Sequence, residues 1–494
     1  MSFPLRINHP IPRRQPAKPA ASASCLRATP KDFPLRFVLV LLTTCVSWRP
    51  TDAADLPDLW AERVKSVAAV EFYVESEIDR RPTVSYGTVI DDLGTIILPP
   101  IAVNQRTSPS QLKDFKVYRA GNAVSVPGEY LGQDTLTGWH FVRAAAEMRP
   151  EFVPITAFAT KGSAEPIIAQ EIWGIGLRTK DEDFTPYILS GRIALVQSLP
   201  QRTMIAQQDI AGPGLPAFDL AGNFVGLGAS SFGQSYVQFS RDDRGGMPVI
   251  LVNAEESGAL LTAAEVLPYL GRVPKGVFGR PIPWLGAYGF EPVDPDVAKF
   301  LKLGAQSALV ISEVLEGGPA GLSGLKNRDV LLAIDGKPLP RLKPDRVVVG
   351  YVGREIQRRH PGDEMVLTVL RGQSRVDATV VLGEQPKRFT EAERKYFDRL
   401  GFTAREMVYD DAIARRAKPA EATGVIAHFL KPNGPASSAG LRTDDWIKEI
   451  DGVEVMTFAA AASQLALAEQ DKQRTETVLL VSRGAETALL RLKL

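Results

Sequence analysis

The chain has 494 residues, too many for a single core, and 45% hydrophobic with 23% charged positions, which excludes a disordered or fibrous chain. Its formal net charge of +1 comes without any run of like charge. The 41 glycines and 37 prolines favour turns and short strands over long helices.

Taken in chain order, residues 1–54 read as a leader. Eight basic residues between Arg6 and Arg49 stand against Asp32 and Asp52. The apolar run Phe37 to Trp48 has the length of a signal-peptide core and is too short to span a bilayer. Ala53-Ala54 offers a cleavage point. Export to the periplasm or the extracellular space is expected, with membrane contact only through the leader if it stays attached. Both cysteines, Cys25 and Cys45, lie in this segment, so no disulfide or thiolate metal site is expected beyond it. Without the leader, 50 basic residues face 55 acidic ones, a net of −5 that argues against a nucleic-acid partner.

From about residue 64 to 252, short apolar stretches alternate with turn residues. Val67 to Tyr73, Ser85 to Asp91, Thr95 to Leu98, Gly128 to Leu131, Glu171 to Gly176, Tyr187 to Leu195 and Asn223 to Leu227 are predicted strands of an all-β sandwich or barrel pair. Ser257 to Leu270 has helical spacing, and the Pro/Gly-rich stretch Val273 to Pro283 marks a boundary.

The C-terminal half contains a repeat. Gly318-Pro319-Ala320, Gly324-Leu325, Asp329 and Asp335-Gly336 recur as Gly434-Pro435-Ala436, Gly440-Leu441, Asp445 and Asp451-Gly452, each 116 positions later. Each copy has an upstream Leu-Gly pair, Leu285-Gly286 and Leu400-Gly401, and each runs helix, strand, strand to its end. The helix near Asp345 to Arg359 precedes a strand at Met365 to Arg371. In the second copy Phe458 to Glu469 precedes Thr477 to Arg483. Between the copies, Glu391 to Lys395 reads as an exposed helical turn.

These repeats resemble the PDZ domains of bacterial HtrA/Deg proteases. In that resemblance Trp284-Leu285-Gly286-Ala287 and Arg399-Leu400-Gly401-Phe402 are the carboxylate-binding loops. A glycine there lets backbone N–H groups converge into an anion nest. An extended peptide then adds to the edge of the following strand, beside a helix. Ala287 stands where a larger apolar residue is common, which implies a wider or weaker first pocket.

The region before the repeats resembles the chymotrypsin-like double β-barrel of the same family. Ser85 to Asp91 with Gly94 to Leu98, Leu131 to Asp134, and Ala211 to Pro216 with Gly222 to Gly226 match its framework. The resemblance places the catalytic histidine at Ile101, the aspartate at Gly138 and the serine at Pro213. None of the three can perform its role. Pro213 also lacks the N–H that would hold the oxyanion, a donor worth ~3–4 kcal/mol of transition-state stabilisation.

The expected fold is therefore mainly β: a leader (1–54), a double barrel (55–276), a first PDZ domain (281–384), a linker (385–397) and a second PDZ domain (398–494). The expected function is that of an exported pseudoprotease binding C-terminal or extended peptides and misfolded proteins. The resemblance adds homo-oligomers. The competing reading is an endopeptidase rebuilt around His140 with Ser190, Ser198, Ser230 or Ser231, although a strand histidine is ordinarily structural. His140, His360 and His428 are dispersed, so neither a metal site nor a cofactor is expected.

Overall fold

Alternating β-branched and apolar residues build two closed, six-stranded antiparallel barrels. The computed structural model describes residues 55–159, 165–198, 201–229, 258–279, 281–304, 306–342, 345–415, 417, 423–484 and 486–494, together with the backbone of two strands between 237 and 250. The leader expectation, with Cys25 and Cys45, lies outside the described residues, as do Ser230 and Ser231.

After helix α1 (Leu56–Arg63), the first barrel comprises β1 (Val67–Glu75), β2 (Arg80–Val89), β3 (Thr95–Leu98), β4 (Leu112–Arg119), β5 (Ser125–Gln133) and β6 (His140–Ala144). They close in the order β1-β2-β3-β6-β5-β4. Phe72, Ile96, Leu98, Val117 and Val142 fill its interior. The second barrel has β7 (Glu171–Leu177), β8 (Pro186–Gln197), β9 (Thr203–Ala206), β10 (Pro216–Asp219) and β11 (Phe224–Gly228). A separate hairpin, β12 (Val237–Phe239) with β13 (Pro248–Ile250), precedes the closing strand β14 (Ala259–Thr262). A strand was not expected at β14. The helical spacing of this stretch yields to pairing with β9 and β11, and only Ala263–Val266 (α2) is α-helical.

One ion pair ties the barrels together. Glu71 on β1 is buried, and its carboxylate accepts from Lys180 Nζ (2.8 Å to each oxygen) and from Tyr118 OH (2.6 Å). Burial alone would raise the Glu71 pKa, but the ammonium and the hydroxyl outweigh it and hold the carboxyl below its ordinary value. A second pair, Asp134 with Arg272, joins the β5–β6 turn to the chain leaving the second barrel.

The two repeat modules share one plan. The first begins with β15 (Pro283–Trp284), β16 (Ala287–Pro292), α3 (Pro295–Phe300), β17 (Leu309–Val314) and α4 (Pro319–Leu322). It continues through β18 (Val330–Ile334), β19 (Lys337–Pro338), α5 (Val347–Gln357), β20 (Glu364–Arg371), β21 (Ser374–Val381) and β22 (Gly383–Glu384). The second opens with β23 (Arg394–Phe397), β24 (Phe402–Glu406), α6 (Tyr409–Ala414), β25 (Val425–Leu430) and α7 (Pro435–Ser438). It ends with β26 (Trp446–Ile450), β27 (Val453–Glu454), α8 (Phe458–Gln470), β28 (Glu476–Arg483) and β29 (Glu486–Lys493).

The repeated aspartates are structural staples. Asp329 is buried and takes a bidentate pair of bonds from Arg371 (2.8 and 2.6 Å), while Asp445 takes the same pair from Arg483 (2.6 Å each). Asp335 and Asp451 adopt positive φ in their Asp-Gly turns and accept from the Val366 and Val478 N–H groups. The shared motif is thus explained by packing alone, and function must rest on the loops around it.

Candidate functional site

Three loops converge where the resemblance places a triad. Ile101 lies in the turn after β3 and is 68% exposed. Gly138 sits in the β5–β6 turn at φ +74°, where an added Cβ would come within 3.0 Å of the Pro100 ring. Pro213 lies in the loop before β10, next to Gly214, whose Cβ would meet Pro99 at 2.7 Å and the Tyr86 carbonyl at 3.0 Å. The Pro100 ring abuts Gly138 and the Pro99 ring abuts Gly214. Two amides of this loop are already engaged: Gly214 N–H donates to the Gly228 carbonyl on β11 (2.8 Å), and Leu215 N–H to that of Gly212 (3.0 Å).

His140 opens β6 and pairs with Leu98 and Gln133 across the sheet. It is 3% exposed, and its Nδ1 shares a 2.9 Å hydrogen bond with Tyr130 OH. Its Nε2 has no hydrogen-bond partner among the described residues. Burial pushes the imidazole pKa down to about 4, with the Pro100 carbonyl acting in the opposite sense. Near neutrality the ring is uncharged and bonded to a phenol, and no serine hydroxyl among the described residues reaches it. Ser190 sits on β8, in the other barrel, opposite Trp173. A cavity of about 450 Å³ lies alongside, lined in part by Tyr130, Gln133, Gly138, His140, Phe278 and Arg388.

The two glycine loops have one hydrogen-bond scheme. Leu285 and Leu400 carbonyls accept from Ala320 and Ala436 N–H (2.8 and 3.0 Å), and Gly286 and Gly401 carbonyls from Leu315 and Lys431 N–H (3.0 and 2.9 Å). Both glycines hold left-handed φ, +72° and +77°, which frees their N–H groups to point into the nest. What the nests hold differs. No acceptor for the Gly286 N–H is found among the described residues, and β16 is the edge strand of its sheet with α5 beside it. Trp284, Leu285, Gly286 and Ala287 thus border an unpaired strand edge. Its far end opens into a cavity of about 500 Å³ bordered by Pro292, Val293, Lys299, Lys302, Arg341 and Val348.

At Arg399, Leu400, Gly401 and Phe402 the corresponding edge is taken. Arg394–Phe397, expected in part as a helical turn and a linker, forms a strand antiparallel to β24. Ala392 and Phe397 are buried, so the stretch is not an exposed turn. Leu400 and Phe402 are fully buried, and the Arg399 guanidinium donates to the carbonyls of Asp471 (2.5 Å) and Arg474 (2.7 Å) just past α8. His428, on β25, meets Arg394 (3.2 Å); burial and then the Arg394 and Arg405 charges lower its pKa. The sequence reading did not single out Phe397, whose signal was an aromatic pair, Tyr396-Phe397, with two residues between it and Leu400-Gly401.

Comparison with known proteins adds the following. A PDZ domain family model matches residues 285–353. The chain is 28% identical over 293 residues to a "Probable periplasmic serine endoprotease DegP-like" of Ectopseudomonas mendocina, covering 56% of this chain and 54% of that protein. It is 27% identical over 371 residues to a protein of the same description from Halomonas elongata, covering 72% and 69%. The chain spans about half the length of most of the curated relatives it matches. Among solved structures, the HtrA-type protease AlgW with a decapeptide is similar at 16% identity and a TM-score of 0.48, over 67% of this chain and 99% of that one.

Proposed function

Taking the chain as a homologue of the DegP/HtrA serine proteases that carries a PDZ domain, we propose that it is an exported, periplasmic member that binds polypeptides without cleaving them. Its clients on this reading are C-terminal or extended peptides and misfolded proteins, and its role is that of a chaperone, adaptor or regulator. The observation that carries the binding half is the Gly286 loop: a nest whose N–H has no acceptor among the described residues, next to an unpaired strand edge. Ile101, Gly138 and Pro213 support the non-catalytic half, because they supply no nucleophile, base or orienting carboxylate. The periplasmic assignment follows the names of the relatives and the expected leader.

Two measurements test it. The purified chain is expected to release no peptides from unfolded casein beyond a buffer blank; cleavage that disappears in His140→Gln would instead establish a site around that ring. A fluorescent peptide with a free C-terminal carboxylate is expected to bind, and to bind about 10- to 100-fold more weakly once amidated or offered to Gly286→Val, as charge-assisted hydrogen bonds are lost. At Gly286 a Cβ would stand 2.9 Å from Pro319 Cδ, on a backbone with positive φ. Equal binding of the acid and the amide would remove the nest from the account.

A further inference from the structure

We propose that the second PDZ module is held closed by a resident segment of its own chain, Arg394–Phe397, and that a free peptide ending in phenylalanine is the ligand that competes with it. This rests on reading both loops as carboxylate nests.

The resident reproduces the direction and the contacts of such a peptide. β23 runs antiparallel to β24 in the register Arg394↔Arg405, Lys395↔Ala404, Tyr396↔Thr403 and Phe397↔Phe402, so its C-terminal end meets the loop. The Phe397 carbonyl accepts the Gly401 N–H at 2.8 Å, which puts an oxygen where a terminal carboxylate would sit. The Phe397 ring is fully buried in the core shared with Leu400, Phe402, Ala461 and Leu465, the last two on α8. The next residue supplies the charge: the Asp398 carboxylate accepts from Lys431 Nζ at 2.8 Å and from Tyr396 OH at 3.1 Å. That carboxyl lies below its ordinary pKa chiefly because of the Lys431 hydrogen bond.

The first module shows the other state of the same design. Ile282 stands where Phe397 does, 115 positions earlier, but its carbonyl accepts from Gln385 N–H (2.8 Å). There β15 pairs with β22, and β16 keeps its edge unpaired. Two loops with one backbone hydrogen-bond scheme therefore differ in the strand that lies against them. The second groove is further braced by the first barrel, since Thr403 Oγ1 donates to Glu77 at 2.9 Å. A tethered resident of this kind competes at millimolar effective concentration, so the groove answers only to abundant or multivalent ends.

The test uses the full chain and a labelled peptide ending in Arg-Lys-Tyr-Phe with a free carboxylate. Gly286→Val is carried in two proteins to silence the first groove. One of them adds Lys395→Pro, which removes an N–H and fixes φ within β23. Anisotropy is expected to show binding at least about ten-fold tighter with the proline, and no such gain for the amidated peptide. Equal affinity in the two proteins, both folded by circular dichroism, overturns the inference while leaving the first module's reading intact. Loss of binding by the chain with Gly286 present overturns that reading instead. Hydrogen exchange on the Gly286→Val protein gives a check that needs no strand variant. Saturating peptide is expected to speed exchange at 394–397 while 402–406 stay protected, and unchanged exchange at 394–397 refutes displacement.

Discussion

Replacing Arg272 by alanine is expected to destabilise the chain by about 3–5 kcal/mol, because it strips a buried carboxylate of its counter-ion. Asp134 has no exposed surface, and Arg272 is 18% exposed on its side chain. The guanidinium Nε lies 2.9 Å from Asp134 Oδ1, while Oδ2 accepts from Thr137 N–H and Oγ1 at 3.0 Å each. The pair also locks a segment in place. Beside it, a Cβ at Gly132 would strike the Gly276 carbonyl at 2.4 Å, so the chain leaving the second barrel is pressed against β5. Urea unfolding of Arg272→Ala gives the loss directly. Pairing it with Asp134→Asn should recover a large part, since a neutral amide left alone costs less than a charge. A loss below about 1 kcal/mol would mean that the carboxylate finds another partner.

The second large effect is a pH dependence carried by His140. Its folded-state pKa of about 4 lies below the ordinary histidine value of 6.5, so the unfolded chain binds a proton that the folded chain refuses. Stability from this group is fully present above pH 6.5 and is lost as pH falls from there towards 4. The full span corresponds to about 3 kcal/mol. His428 is shifted in the same direction and adds to the slope, whereas His360 is exposed on the surface. The clean measurement is therefore a difference: stability from pH 7 to pH 4.5 for the parent and for His140→Gln. The parent should lose more across that window. Parallel curves would show that the ring is protonated without cost.

Much of this architecture was legible in the sequence because it depends on local alternation and on a repeat. Val67 to Tyr73 and Thr95 to Leu98 have the β-branched, apolar character of barrel strands, and they are β1 and β3. The 116-residue repeat exposed two modules whose aspartates make the same bonds to Arg371 and Arg483. What escaped were segments shaped by distant partners. Arg394 to Phe397 has only four residues and begins with two cations, so nothing local marks it as a strand; it becomes one because the β24 edge is there to receive it. The helical spacing before Leu270 likewise lost to the need to close the second barrel. Within the candidate site, the residue types at Ile101, Gly138 and Pro213 were readable. The Tyr130–His140 bond and the packing of Pro99 and Pro100 were not, since they join residues from separate strands and loops.

Those proline rings bear on which substitutions the two turns can accept. A side chain at 138 must displace Pro100 and tolerate positive φ, and one at 214 must displace Pro99. Any L side chain at 138 would therefore add backbone strain as well as a steric contact. The Pro100 ring thus guards one turn and the Pro99 ring the other, so the backbone at both is fixed by contact and has little room to adjust.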